Sequence, residues 1–249
     1  MPATEEQIRL AANLKKALLD AYDPEAIILF GSIGRGDGDE FSDVDLLVVM
    51  ETDQDVSDLS KEMTEYLEPI ATDKHIIVRT ARDLCRQRDI PGNIIYSAVR
   101  EGRVLFEKKD WEWQHPPEDS YDKRKMEVIQ REYVRSAYEF LAQSESSLQG
   151  GNLFRCRDFA RFASVRALKG IFVKHDTHPP RETDLLSLLK KAEKMEPDLA
   201  VESGFLRELN SYVPGKKGEV ETRRCRYIFD QTVAFVKRMI SRYTLKDSS

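Results

Sequence analysis

Two aspartates, Asp43 and Asp45, interrupt an otherwise apolar stretch, VDLLVVM, and stand one residue apart. On an extended backbone side chains alternate between faces, so both carboxylates point to one face of a sheet while Val44 and Leu46 point to the other. Like charges held side by side repel, and a sheet face that carries them cannot be sealed under apolar core. The strand must therefore end at an open edge of the fold, where cations or donors can reach it. Gly31-Ser32 closes the preceding apolar run, AIILF, and ten residues separate it from Asp43. A strand that ends in a glycine turn is thus followed by a strand that brings two carboxylates back to the same edge.

That spacing points to a chemistry. Glycine lets phosphate oxygens approach the backbone, and paired carboxylates on same-face positions are the oxygen ligands that hard Mg²⁺ takes. Two such ions can hold the attacking and leaving oxygens of an in-line displacement, and their charge would offset the repulsion between Asp43 and Asp45. Ser32 can donate a hydroxyl to a β- or γ-phosphate, and Arg35, in the same loop, is a candidate clamp on a pyrophosphate leaving group.

The rest of the chain divides in two. Asp23-Pro24 ends an amphipathic N-terminal helix, and AIILFGS, VDLLVVM, TDKHIIVRT and GRVLFEK read as strands separated by short helical stretches, one of them over residues 56–68. This describes a mixed-sheet α/β (α+β) domain over residues 1–107. Residues 108–120, KKDWEWQHPPEDS, combine two tryptophans, a Pro-Pro pair and clustered charge, as an exposed linker does. Beyond Tyr121 strand periodicity is absent. Met126, Ile129, Tyr133, Ala137, Phe140 and Leu148 mark one face of a long helix ending near Gly150-Gly151. LFRCRDFARFASVRALKGIFVKH is apolar almost all round, as a central bundle helix is. A shorter helix follows HPPRETD, another spans about residues 198–212, and the last carries Tyr227, Ile228, Val233, Phe235, Val236 and Ile240. Residues 121–249 therefore read as an all-α helical bundle.

Charge follows the same division. Residues 36–68 carry twelve acids against one lysine, whereas residues 150–249 carry twenty Lys or Arg against thirteen acids. An acidic first half argues against a broad nucleic-acid groove there, and a basic second half could receive an anion such as a nucleotide triphosphate. With 41% hydrophobic and 33% charged residues the composition is that of a globular protein, with no apolar run of membrane-spanning length and no signal-peptide pattern at the N-terminus. A cytoplasmic location is the expectation. Cys85, Cys156 and Cys225 lie far apart and read as reduced structural residues.

GSIGRGDGDEFSDVDLLVV resembles the signature of the DNA polymerase beta-like nucleotidyltransferases, in particular the minimal nucleotidyltransferases and kanamycin nucleotidyltransferase. The resemblance implies that Asp43 and Asp45 bind the metals and that Gly31 and Ser32 hold the nucleotide phosphates. The family often has a third carboxylate on the neighbouring strand, within a pattern Asp-Ile-Ile-Val-x-Thr, and that register places His75 where the aspartate stands. Asp73, two residues earlier and on the same face, could supply the carboxylate as metal ligand or base. Alternatively His75 acts as the base, or catalysis is impaired and nucleotide binding alone survives.

The helical half resembles the HEPN domains through RFASVRALKGIFVKHDTHPPRETDLLSLLKKAEK. HEPN ribonucleases use an arginine followed four to six residues later by a histidine, and no such pair occurs here, so a ribonuclease is not expected. Arg155, Arg166 and Lys169 fall within about 60° on a helical wheel, among Phe159, Phe162 and Val173. Arg166 and Lys169 are candidate nucleotide-binding groups completing the site from the bundle; ion pairs with a neighbouring helix are the other reading. His175 and His178 lack further ligands and are not expected to hold a metal. The basic run Lys216, Lys217, Arg223, Arg224 and Arg226 reads as a solvated helix start.

The expectation is a transferase moving a nucleoside monophosphate, AMP from Mg-ATP, to a hydroxyl on a small molecule or a protein, with release of pyrophosphate. The alternative is a catalytically impaired nucleotide-binding or protein-interaction module of antitoxin type. Neither nucleic acid nor membrane is an expected partner. A homodimer is the expected state, since both resembled families often dimerise.

Overall fold

The computed structural model describes residues 5–39, 42–70, 73–109, 119–215 and 218–243. The expected linker tryptophans, and Lys216 and Lys217 of the basic run, lie outside them. The chain divides into two compact units, Met1–Asp89 with Asn93–Ser120, and Ile90–Gly92 with Tyr121–Ser249.

The first unit is a four-stranded mixed sheet between two helical layers. Helix α1 (Glu5–Ala21) buries Gln7, Ala11, Leu14 and Leu18, a 4-3-4 spacing that puts one stripe against the sheet. Strands β1 (Ala26–Phe30), β2 (Val44–Val49), β3 (Lys74–Arg79) and β4 (Arg103–Glu107) lie in the order β3-β2-β1-β4. β1 pairs antiparallel with β2 and β4, while β2 pairs parallel with β3. The parallel pair needs a crossover, supplied by α3 (Val56–Tyr66), whose Asp55 cap accepts from the backbone N–H groups of Ser57 and Asp58 at 2.8 and 3.2 Å. β3 is an edge strand. Ser60 of α3 covers one of its outward groups, since the Val78 N–H donates to Ser60 Oγ at 2.9 Å.

Alternation sorts the strand side chains into two cores. Leu29, Val44, Leu46, Val48, Ile76 and Val78 meet α1 and α3 through Leu14, Leu18, Leu59 and Met63. Phe30, Leu47, Val49 and Ile77 meet Leu84 of α4 (Ala81–Gln87) and Ile95 and Ala98 of α5 (Ile94–Glu101). Both helices start on side-chain caps: a Thr80–Asp83 capping box for α4, and Asn93 accepting from the Tyr96 N–H at 2.9 Å for α5. Asp45 shares its face of β2 with Leu47 and Val49, and Asp43 stands immediately before the strand, so the α4–α5 side of the sheet ends at an acidic edge.

One local expectation is corrected here. Gly31-Ser32 does not form a simple turn; it opens a five-residue helix, α2 (Gly31–Arg35), which ends at Gly36 in the left-handed region with φ 81°.

The second unit is helical among its described residues: α6 (Tyr121–Val128), α7 (Ser136–Gln149), α8 (Leu153–Lys174), α9 (Leu185–Ala192), α10 (Ser203–Ser211) and α11 (Glu219–Ser241). The long helix expected from Tyr121 to Gly150 is followed in path, but residues Ile129–Arg135 widen into a π-helical stretch between α6 and α7. Ile129, Tyr133 and Val134 of this stretch enter the core. The helix expected over 198–212 is likewise two pieces. Pro197 starts a 3₁₀ turn ending at Glu202, and α10 follows.

α8 buries residues on nearly all sides, from Leu153 to Val173, as its composition requires. The segment Ile90–Gly92 is part of this unit: Ile90 belongs to its core, and Tyr133 Oη donates to the Gly92 carbonyl at 2.5 Å. Gly92 has φ 87°, and a Cβ there would lie 2.4 Å from Val173 Cγ2. The three cysteines are free and buried. No described helix is long and apolar enough to cross a membrane.

Candidate active site

The carboxylate-bearing end of β2 is built by register. Antiparallel pairing sets Phe30, the last residue of β1, opposite Asp45, and parallel pairing sets His75 of β3 on its other side. β1 then turns into α2, so Gly31 comes directly over the aspartate. Gly31 has φ 69°, and a Cβ built on it would stand 2.0 Å from Asp45 Oδ2. A side chain here is strained by the backbone conformation and would have to push the carboxylate aside. The glycine of the motif is therefore what lets the chain pass close to this acid.

Asp45 has a half-buried side chain, and burial raises its carboxyl above the usual range; Asp43 pushes in the same direction, while His75 and Arg35 oppose it. His75 Nδ1 lies 3.5 Å from Asp45 Oδ1, with the ring largely open to solvent. Asp43 is exposed, immediately before the strand. Asp73 is also exposed, just ahead of β3, and its backbone carbonyl accepts from the Val44 N–H at 3.1 Å. Of the two candidates for the third position, His75 is thus the one in contact with Asp45.

Arg35 is held by acids on two elements. Its Nη2 and Nε lie 3.2 and 3.3 Å from the two carboxylate oxygens of Asp37, and Nη1 lies 3.7 Å from Glu101 Oε2 at the end of α5. Ser32 opens α2 with Gly31, and its carbonyl accepts from the Asp37 N–H at 3.0 Å. The flank of the acidic loop is tied down by Gln7 of α1, whose amide donates to the carbonyls of Asp39 and, at 3.2 Å, Ser42. Ser42 Oγ donates in turn to Asp39 Oδ1 at 2.9 Å.

Sequence reading found neither Gln7 nor Glu101. Gln7 reads as one more polar residue of an amphipathic helix, and only its burial beneath the loop reveals the task. Glu101 is brought to Arg35 by the packing of α5, which leaves no local signal. Asp37 did have one, since it lies two residues from Arg35 in a glycine-rich loop.

The residues assigned to nucleotide binding on the helical half, Arg166 and Lys169, lie one turn apart on α8 in the second unit, both half-buried. Burial depresses the Lys169 ammonium, and the neighbouring Arg166 charge adds to the effect. Lys169 Nζ donates to the Arg181 carbonyl at 3.4 Å. His175 is engaged elsewhere, with Nε2 3.0 Å from Glu196 Oε1.

The donor chemistry at the end of β2 suits a divalent cation: two carboxylates on one face and an imidazole across the register. Among the described residues no three His, Cys, Asp or Glu groups are already gathered as an ion cage. Asp45 and His75 are the pair in contact.

Residues 12–111 match the family described as polymerase beta, nucleotidyltransferase. No curated protein matches the chain in sequence. Among solved structures, the chain is similar to a nucleotidyltransferase-like protein from Exiguobacterium sibiricum at 12% identity, covering 96% of this chain and 78% of that one, with a TM-score of 0.42. It is also similar to spectinomycin adenyltransferase AAD(9) from Enterococcus faecialis, solved with ATP and spectinomycin, at 13% identity, covering 93% of this chain and 100% of that one, with a TM-score of 0.44.

Proposed function

We propose that the first unit transfers a nucleoside monophosphate, AMP from ATP, to a hydroxyl acceptor. The reading is carried chiefly by one observation: Gly31 passes over the Asp45 carboxylate so closely that a Cβ would overlap it. A glycine-bearing turn and an aspartate of a same-face pair thereby meet at one sheet edge, within the segment matched by the nucleotidyltransferase family.

In this reading the acceptor oxygen attacks the α-phosphorus, the bond from that phosphorus to the bridging oxygen breaks, and pyrophosphate departs with the electron pair. Asp43 and Asp45 would hold the divalent cation, Mg²⁺ by the resemblance, which neutralises phosphate charge when bound. Gly31 and Ser32 would hold the phosphate oxygens. Arg35, swung from Asp37 and Glu101, would meet the leaving pyrophosphate. The acceptor proton goes to His75 Nε2 or to the Asp73 carboxylate. Positioning and charge compensation would supply most of the acceleration.

Arg166 and Lys169 are proposed as anion-binding groups of the bundle, which we read as HEPN-like and non-ribonucleolytic. The acceptor is a small molecule or a protein side chain, the acidic loop favouring a cationic one, and the working state is a homodimer in the cytoplasm.

The test is label transfer from α-labelled ATP in the presence of divalent cation and candidate acceptors. Transfer by the native protein and its loss in the Asp43→Asn/Asp45→Asn protein are expected. Equal label in both proteins would sink the proposal. One observation favours a second reading, a nucleotide-binding module without turnover: an imidazole stands beside Asp45 where the resembled family has a carboxylate. ATP binding without label transfer to any acceptor would select it.

A further inference from the structure

The contact between Asp45 and His75 bears on which ion this site takes. Parallel pairing of β2 with β3 fixes the two residues side by side, so their approach is set by the backbone ladder. Their donor atoms are 3.5 Å apart. Neighbouring ligands on one octahedral ion, each at about 2.1 Å from it, stand roughly 3 Å apart. A shift of about half an ångström, within reach of a rotamer adjustment in an exposed ring, would let one ion bridge Asp45 Oδ1 and His75 Nδ1. Imidazole nitrogen is a poor ligand for Mg²⁺ and suits the later first-row ions Fe²⁺, Ni²⁺, Cu²⁺ and Zn²⁺, with Mn²⁺ at the weak end of that series.

We infer that His75 is itself a metal ligand, and that with Asp43 and Asp45 it makes a mixed oxygen–nitrogen site that favours first-row transition ions over Mg²⁺, with Mn²⁺ as their paramagnetic probe. The inference rests on the nucleotidyl-transfer reading for the role of the two aspartates, and it changes the place of the histidine from proton acceptor to ligand. With His75 in the third ligand position, Asp73 is not needed as a ligand. The acceptor proton would pass to Asp73 or to solvent, because Nδ1 holds the ion and the imidazole is no longer a free base.

Pulsed electron paramagnetic resonance on the full-length protein loaded with Mn²⁺, without nucleotide, reads this directly. Nitrogen bound to the ion gives a ¹⁴N modulation that carboxylate and water do not. Native protein is expected to show it, and His75→Gln and His75→Asp to lose it while keeping bound Mn²⁺. The Mg²⁺ concentration that displaces half of the Mn²⁺ should fall at least about tenfold in His75→Asp, the scale of effect that ligand-sphere changes have on metal affinity. Asp43→Asn/Asp45→Asn should lose the bound ion altogether, which locates the signal. Mn²⁺ that needs the aspartates but shows no nitrogen modulation would overturn the inference and leave the transfer reading standing. Modulation that survives in His75→Gln would overturn it too, by assigning the nitrogen to another residue. Failure of Mn²⁺ to bind through the aspartates at all would remove both.

Discussion

The two units treat their buried carboxylates in opposite ways. In the helical unit the buried Glu202 and the largely buried Glu196 face opposite partners: Glu202 accepts from both Arg238 Nε and Nη2 at 2.8 Å, and Glu196 is met by Lys174, His175 and Arg242 at 2.6, 3.0 and 3.1 Å. At the end of β2, by contrast, a half-buried carboxylate faces a second carboxylate, with a largely exposed imidazole as its nearest counter-group. Paired charges hold a bundle in one arrangement. An under-compensated one costs stability and persists where it does chemistry.

Four substitutions would break or sharpen that contrast. The largest effect is expected from Asp45→Asn, which should lower label transfer by about three orders of magnitude, on the order of 4 kcal/mol of transition-state stabilisation. The same change should stabilise the metal-free protein, by about 0.5–2 kcal/mol at neutral pH in urea unfolding. The sign follows from linkage. The folded-state carboxyl of Asp45 is raised, so between the ordinary carboxylate range and that raised value the folded state binds more protons than the unfolded state. Stability contributed by this group is therefore full at low pH and declines as pH rises through that window. Replacing it by asparagine should flatten the decline, and an unchanged pH slope would show that Asp45 is not strained.

Gly31→Ala comes next. A left-handed backbone costs about 1–2 kcal/mol in a residue with a Cβ, and displacement of the Asp45 carboxylate adds about 1–3 kcal/mol. A lowered urea midpoint together with lost ATP binding is expected; full binding at native stability would mean that the turn relaxes freely.

In the helical unit Glu202→Ala should cost only about 1 kcal/mol, because Arg238 is half exposed and solvent screens the charge left behind. Transfer activity per folded molecule should be unchanged, which is the contrast in its plainest form. Tyr133→Phe is the smallest effect, about 1 kcal/mol or less in thermal unfolding, from loss of the hydrogen bond to the Gly92 carbonyl. Burial pushes the Tyr133 hydroxyl well above its usual range, so that bond should persist across the whole accessible pH range.

Much of this was legible in the order of residues. The apolar runs gave the four strands because a strand buried on one or both faces needs β-branched and aliphatic residues at fixed spacing. The same alternation put Asp43 and Asp45 on one face, and their incompatibility with an apolar core marked the site. Helix α1 could be read from its 3.6-residue stripe. α2 could not, since five residues carry too little periodicity to distinguish a helical turn from any other turn. The π-helical stretch was hidden for a related reason: Ile129, Tyr133 and Ala137 suit an ordinary helix, and Tyr133 is set apart only by the Gly92 carbonyl it bonds, 41 residues away in sequence.

By itself, then, the sequence determined that Gly31-Ser32 and the aspartate-bearing strand would meet at one edge of a mixed sheet, because that follows from strand alternation and the lengths of the two apolar runs. It left open what stands beside them. Only the tertiary structure decided that His75 rather than Asp73 touches Asp45, that Glu101 brackets Arg35, and that Gly31 has no room for a Cβ. Each depends on inter-strand register or on the packing of a distant helix, and a one-residue slip of β3 would have turned the imidazole to the other face.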